Sequence, residues 1–296
     1  MSCTYINDPL RNLNAQSAGF ERALGRFLQA CARDQDACSG FGGSEPWEAY
    51  DALLDGLDSA PVPVGERVVD GDDARAGTQL ALYHTALWPF LGRALADLAA
   101  GDGRRMRAAA DAFYGRNEDG SYAPDADAYF TIGALEQAYP RDVGAFLRAG
   151  RASSEEHDHF WWNNGYTELG YVLYPVRPNS VFTGPFRIAP ASPTPLVVAT
   201  TYDPATPYRG AQSLVRDLGN ARLLTVRGDG HTAYASGVAC VDTLVESYVD
   251  SLALPEPGTS CAAAPGLGPA RATASERDAA RVAAALPRGG PTVALH

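Results

Sequence analysis

The 296-residue sequence has the composition of a globular protein, with 46% hydrophobic and 20% charged residues. The formal net charge is −11 and the cationic side chains are arginines without a single lysine, so the chain is a poor candidate for binding nucleic acid or an anionic membrane. No apolar run approaches the roughly 20 residues of a membrane span. No signal peptide is expected, because "MSCTYINDPLRN" has neither a charged start nor an apolar core.

The first two thirds of the chain predict one short strand followed by helices. Thr4–Asn7 is the predicted strand, and "APVPVGERVV" is predicted to be an extended link between helices. Helical spacing of apolar residues predicts the following helices: Phe20–Cys31, Trp47–Leu57, Thr78–Trp88, Pro89–Ala100, Gly103–Tyr114, Asp125–Gln137 and Arg141–Arg151.

Two short apolar runs near the C-terminus, Leu196–Thr201 and Ala221–Val226, predict strands buried on both faces of a parallel sheet. Asp203 and His231 each come just after one of these strands. Because ligands bind beyond the carboxyl ends of strands in open α/β sheets, both side chains are expected on one rim. There a carboxylate can hold the histidine tautomer and stabilise its protonated form. Acid before histidine is also the chain order of a hydrolase triad, in which the nucleophile comes first.

The two strands are predicted to alternate with helices. Thr206 is the expected N-cap of the first helix and Pro207 its first residue, with Gly219 as the stop. Ser236 is the expected cap of the last helix. A sheet this small is expected to end in an open edge with unpaired backbone groups.

Several segments of the sequence resemble one protein family. "TTYDPATPY", "LLTVRGDGHTAY", "ACVDTLVESYV" and "LPEPGTSC" resemble the C-terminal region of the secreted tripeptidyl-aminopeptidase-like α/β-hydrolases of actinobacteria. "DPLRNLNAQSAGFERAL" and "YPRDV" resemble the part of those proteins that leads into and through the helical cap. The resemblance covers roughly Ile6 to Cys261. It implies a serine peptidase that releases tripeptides from free N-termini, with Asp203 as the catalytic acid, His231 as the catalytic base and no cofactor.

The resemblance also implies the architecture. The expected fold class is α/β, namely the C-terminal half of an α/β-hydrolase core with few parallel strands and a large, mostly helical cap. The expected divisions are a core strand and link over 1–12, the cap over 13–187, the core with acid and histidine over 188–262, and an Ala/Gly/Pro-rich tail over 263–296. One helix is predicted in the tail, near Ser275–Leu286. Secretion or a place in the cell envelope follows from the family.

The nucleophile is the member of the triad that the sequence does not offer. A nucleophile elbow needs Gly-x-Ser-x-Gly or a close variant. Ser44 has glycines before it but Glu45 and Pro46 after it, and Ser236 follows the histidine. In the family the serine precedes the position that matches Met1, so this chain alone is expected to be inactive. The open alternatives are an esterase with the same machinery, a non-catalytic remnant, and one half of a split enzyme whose N-terminal partner supplies the serine.

The five cysteines are an odd number, so at least one is unpaired within the monomer. Resemblance to a secreted family implies two disulfides, Cys31–Cys38 and Cys240–Cys261, which leaves Cys3 over. Family members often carry another cysteine pair, and the matching positions here are Ala134 and Tyr171.

Three further side chains of the cap are candidates for binding. His157 and His159 are two residues apart, a spacing that can bind zinc on an extended segment, although a solvent-facing loop is the favoured interpretation. Glu136 is a candidate for holding the free amine of a peptide substrate, because the family uses acidic groups of the cap for this purpose. The alternative for Glu136 is an ordinary surface glutamate.

Overall fold

The computed structural model describes residues 8–161, 166–176, 182, 184, 186–264, 266 and 267. The described residues divide into two compact units, one of residues 8–22 and 130–264 and the other of residues 23–129, 266 and 267. The four divisions expected from the family do not coincide with these units and stay a prediction. Thr4–Asn7, Cys3 and Ser275–Leu286 lie outside the described residues.

The unit of residues 23–129 is mainly helical. The helices up to position 136, some of which extend into the other unit, are α1 (Pro9–Arg33), α2 (Pro46–Ser59), α3 (Gly71–Leu82), α4 (Trp88–Ala99), α5 (Arg104–Tyr114) and α6 (Asp125–Glu136), with 3₁₀ turns at Asp36–Cys38 and Thr85–Leu87. The predicted helix Thr78–Trp88 is therefore wrong at both ends. Asp70 starts α3 earlier, because its side chain accepts the Asp73 N–H at 2.9 Å.

The expected extended link is an antiparallel hairpin of β1 (Val62–Val64) and β2 (Arg67–Val69). Gly65 lies in its turn with φ +62°, a conformation that glycine adopts without strain. Beneath the hairpin, Arg107 forms ion pairs with Asp73 and with Asp111. Burial raises the pKa of the nearby Tyr114 to about 12, and the negative charge of Asp73 adds to the effect.

The other unit combines the end of α6 and α7 (Val143–Ser154) with a three-stranded sheet. Strand β3 is Leu196–Tyr202, β4 is Arg222–Asp229 and β5 is Ser260–Ala262. The strands are parallel in the order β3-β4-β5, with Leu196 opposite Arg222 and Val226 opposite Cys261. The predicted strands Leu196–Thr201 and Ala221–Val226 are confirmed as β3 and β4, whereas the short β5 was not predicted.

Helices cover both faces of this sheet, as its continuous apolar strands require. Helix α8 (Tyr208–Leu218) packs on the face that carries Val197 and Ala199. Helix α9 (Ala239–Ser251) packs on the opposite face, where Val241 contacts the layer of Val198 and Leu224. Within the described residues, β3 pairs with β4 alone, so its other edge has no strand partner there. The expected α/β fold, with a parallel sheet of few strands and a large helical part, is confirmed.

Both expected disulfides are present, Cys31–Cys38 and Cys240–Cys261. At the site of the third pair of the family, the ring of Tyr171 packs directly on Gly133, the neighbour of Ala134. Ala134 and Tyr171 are both buried, so an aromatic contact occupies this place. In the described part of the chain, no helix is both long and apolar enough to cross a bilayer.

Candidate active site

Asp203 follows β3 directly and is completely buried. Its carboxylate accepts the backbone N–H groups of Ala205 at 3.0 Å and Thr206 at 2.7 Å, and the Thr206 hydroxyl at 2.9 Å. The segment Asp203–Thr206 therefore forms a turn in which the side chain of its first residue accepts the backbone N–H groups that follow. Aspartate commonly forms such turns. Three donors therefore satisfy the oxygens of this buried carboxyl group.

This turn corrects the role predicted for Thr206. The structure begins α8 at Tyr208, with Pro207 in the N-cap position, and the Thr206 hydroxyl does not cap the helix. A hydrogen bond to a carboxylate is stronger than one to a backbone amide. The Thr206 hydroxyl therefore donates to Asp203 instead of capping the helix.

His231 lies two residues beyond β4 and is 6% exposed. Its Nδ1 is 3.0 Å from Oδ1 and 3.1 Å from Oδ2 of Asp203, and 3.3 Å from the Thr206 hydroxyl. The predicted contact between Asp203 and His231 is thereby confirmed. A carboxylate can only accept a hydrogen bond, which assigns the imidazole proton to Nδ1 and leaves Nε2 as the basic nitrogen.

Strand β4 contains a bulge close to its end, two residues before His231. Thr200 is opposite Val226, but Tyr202 is opposite Asp229, so β4 contains one extra residue there. The Thr201 hydroxyl bonds both backbone groups of Gly228, accepting its N–H at 3.1 Å and donating to its carbonyl at 3.2 Å. Such bulges bend a strand and redirect the side chains that follow.

The loop after the histidine contains unusual backbone. Thr232 and Ala235 both have φ 59°, a left-handed conformation that is costly for a β-branched residue such as threonine. The N–H of Thr232 points to Asp203 Oδ2 at 3.4 Å. Ser236 does not cap the last helix as predicted, because α9 begins at Ala239 and the serine hydroxyl donates to the Tyr234 carbonyl.

The remaining sequence candidates lie outside this cluster. Glu136 is exposed at the last residue of α6, and Ser44 is exposed in a turn before α2. His157 and His159 are both buried, so the solvent-facing loop expected for them is wrong. Nδ1 of His159 lies 2.5 Å from Glu21 Oε1, and in the described ranges no group of three or more His, Cys, Asp or Glu side chains is arranged to hold a metal.

Several polar residues have contacts that no pattern in the sequence indicates. Gln16 and Glu21 are spaced as ordinary polar positions on a helix, and nothing in the pattern marks them. Glu168 is 1% exposed in a 3₁₀ helix, Thr167–Leu173. Burial raises the pKa of Tyr139, and the charge of Glu168 raises it further. Thr206 had a recognisable signal, because Asp-x-x-Thr is a sequence in which the aspartate can accept from the residues that follow it.

Comparison with known proteins gives one family match and several relatives. Residues 176–261 match the α/β-hydrolase family described as TAP-like protein. The chain is 32% identical over 257 residues to "Carboxylesterase B" of Mycobacterium tuberculosis, covering 86% of this chain and 49% of that protein. It is 30% identical over 266 residues to "Serine protease Hip1" of the same organism, covering 86% of this chain and 50% of that protein.

A more distant similarity points to the same family. "Tripeptidyl aminopeptidase" of Streptomyces lividans is 25% identical over 176 residues, which is 58% of this chain and 32% of that protein. The chain spans about half the length of the two mycobacterial proteins.

Proposed function

Residues 176–261 match the TAP-like α/β-hydrolases, and on that premise we propose that this chain is a member of that family and that Asp203 and His231 are the acid and the base of a serine-hydrolase triad. The observation that carries the proposal is the contact of His231 Nδ1 with both oxygens of a fully buried carboxylate, 3.0 and 3.1 Å away. A surface histidine that met an aspartate by chance would have neither the burial nor the additional donors of Thr206.

In this mechanism Asp203 fixes the imidazole so that Nε2 is the atom that receives a proton. The serine hydroxyl passes its proton to Nε2 as the oxygen attacks the carbonyl carbon of the substrate. His231 then carries a positive charge, which the neighbouring carboxylate stabilises. The same nitrogen returns the proton to the leaving group, and water repeats the sequence to release the acyl group and restore the serine.

The serine itself is assigned to sequence that the relatives possess and this chain does not span. Neither Ser44 nor Ser236 lies in a nucleophile elbow, and part of the oxyanion hole comes from the residue after the nucleophile. We therefore assign acid and base to this chain, and the nucleophile to an N-terminal hydrolase half on the same or another polypeptide.

Peptides with a free N-terminus are the proposed substrates, cleaved to release tripeptides, as in the protein named tripeptidyl aminopeptidase. Glu136 is available for the substrate amine because its side chain is exposed. An esterase is the second candidate, favoured by the 32% identity to a protein named carboxylesterase. The two disulfides fit an oxidising compartment, which supports a place outside the cytoplasm or in the cell envelope.

The DNA immediately upstream of the Met1 codon is the first test. A continuous reading frame that encodes Gly-x-Ser-x-Gly supplies the complete enzyme, and a separate frame supplies the second half of a split enzyme. The assembled protein should hydrolyse a chromogenic tripeptide substrate. Acetylation of the N-terminus of that substrate should abolish cleavage. An esterase would instead hydrolyse a p-nitrophenyl ester faster than the peptide, and its rate would not depend on whether the substrate is acetylated.

The proposed roles are tested in the same assembled protein. Asp203→Asn and His231→Gln should each lower kcat by about 10⁴-fold or more. Thr200→Val is the matched control, because this residue lies in β3 and contacts the pair only through its backbone carbonyl, which accepts the Asp203 N–H at 3.3 Å and is unchanged in valine. Activity retained by His231→Gln would refute the triad. Covalent labelling of the isolated chain by a fluorophosphonate probe would reveal a nucleophile here and refute the assignment of the serine.

A further inference from the structure

We propose that the first part of α1 is a positioning element for the acid loop, the segment Asp203–Thr206, and that it sets the contact between Asp203 and His231. The inference rests on the proposed function only where it calls Asp203 the catalytic acid. The contacts themselves are structural, and they join residues more than 180 positions apart in the sequence.

Three residues of α1 meet three consecutive carbonyl groups of the acid loop. Gln16 Nε2 donates to the Ala205 carbonyl at 2.8 Å, and both residues are buried. A side chain at Gly19 would place its Cβ 2.2 Å from the Pro204 carbonyl oxygen, so the two backbones are in direct contact. Arg22 Nη2 lies 3.5 Å from the carbonyl oxygen of Asp203. The guanidinium carbon of Arg22 lies 5.8 Å from the centre of the Tyr202 ring.

The spacing shows that this is one surface of the helix. Positions 16, 19 and 22 recur every three residues and so lie on one side of α1. They contact positions 205, 204 and 203 in that order, which means that the helix and the loop run past each other in opposite directions. Glycine in the middle is required because any Cβ would push the loop away.

The acid loop needs such an external support. Strand pairing ends at Tyr202, and Pro204 has no N–H to offer. The N–H groups of Ala205 and Thr206 are already used by the Asp203 carboxylate. The loop therefore turns its N–H groups toward Asp203 and its carbonyl groups toward α1. A buried carbonyl group needs a hydrogen-bond donor, and no neighbouring strand among the described residues provides one for Ala205. The side-chain amide of Gln16 is that donor.

The helix is itself held in place on an adjoining side. Ser17 is within hydrogen-bond distance of the Phe160 carbonyl, at 3.4 Å, and the ring of Phe20 lies 5.7 Å from that of Phe160. Glu21 Oε1 accepts the backbone N–H groups of Asp158 and His159, both at 3.2 Å. A helix fixed by these contacts can transmit its position to the acid loop. A displacement of α1 should therefore reach His231 through Asp203.

The test is NMR of the full chain with ¹⁵N-labelled histidine. Five histidines give five ring systems, and His231→Gln assigns the one of interest. The wild-type protein should show a strongly downfield Nδ1–H resonance for His231, the signature of its bond to Asp203. Gly19→Ala should remove this resonance or shift it upfield, because the new methyl group must displace the Pro204 carbonyl. Gly56→Ala is the control, since a Cβ there meets nothing within 4 Å.

A second variant covers the case in which Gly19→Ala does not fold. Gln16→Met keeps the length of the side chain and removes the donor to Ala205, and it should also weaken the His231 resonance. If folded variants lose thermal stability while the resonance stays unchanged, α1 is only structural and the inference is wrong. A normal wild-type resonance in an assembled protein without hydrolase activity would overturn the proposed function and leave the positioning role standing.

Discussion

Replacement of Thr206 by valine tests how far one hydroxyl holds the acid in place. Valine has the same shape as threonine, so the change removes the 2.9 Å hydrogen bond to Asp203 Oδ2 and leaves the backbone donors unchanged. A hydrogen bond to a charged group contributes about 1.5–3 kcal/mol to stability. Because Asp203 is fully buried, water cannot replace the lost donor. We expect a loss of about 2 kcal/mol in the free energy of unfolding.

The assay is urea unfolding of wild type and variant, with the His231 Nδ1–H resonance as a local probe. The midpoint should fall while the slope with urea stays the same, since the surface exposed on unfolding does not change. The control is Thr200→Val in β3. The Thr200 hydroxyl is buried with no hydrogen-bond partner among the described residues, so a methyl group in its place should leave stability unchanged or raise it by up to about 1 kcal/mol.

The comparison of the two threonines is decisive because the substitution is identical and both side chains are buried. A loss below about 0.5 kcal/mol for Thr206→Val, which is the range of ordinary surface substitutions, would show that its hydroxyl does not hold the carboxylate. An equal loss for both variants would refute the reasoning as well, since it would then come from valine itself.

Two further predictions concern the backbone after the histidine and the alkaline limit of stability. Thr232→Gly and Ala235→Gly each relieve a positive φ and should raise the free energy of unfolding by about 1 kcal/mol. Both should keep the His231 resonance, because glycine retains the backbone N–H with which residue 232 contacts Asp203; loss of the resonance in either variant would contradict this. The pKa of Tyr114 is raised from 10.0 to about 12, so its contribution to stability is complete below pH 10 and is lost as the pH rises toward 12. Urea unfolding across this range should show a smaller loss for Tyr114→Phe, and an equal loss would exclude Tyr114 as the cause.

The acid and the histidine could be predicted because two simple rules apply to them. Apolar runs end where a parallel sheet ends, and Asp203 and His231 both follow such an end. The support of the site could not be predicted in the same way. Gln16 and Gly19 lie in a helix that looks ordinary, and their importance depends on a loop far along the chain.

The helical part shows the same limit. Apolar spacing predicted most helices to within a few residues, since each helix buries one face. It failed around α3, where the Asp70 cap decides the start. It also failed for β5, whose three residues are too few to show a period. The burial of His157 and His159 depends on packing against distant residues such as Glu21, which no local pattern records.

The Cys240–Cys261 disulfide has a consequence for how the edge of the sheet is assembled. Cys261 is the middle residue of β5, opposite Val226, and its side chain belongs to the layer that faces α9. A slip of β5 by one residue would turn this side chain to the other face of the sheet, away from Cys240. Oxidation can therefore join only the strand that has found its correct partner. Once formed, the bond holds β5 in the register in which Cys261 lies opposite Val226.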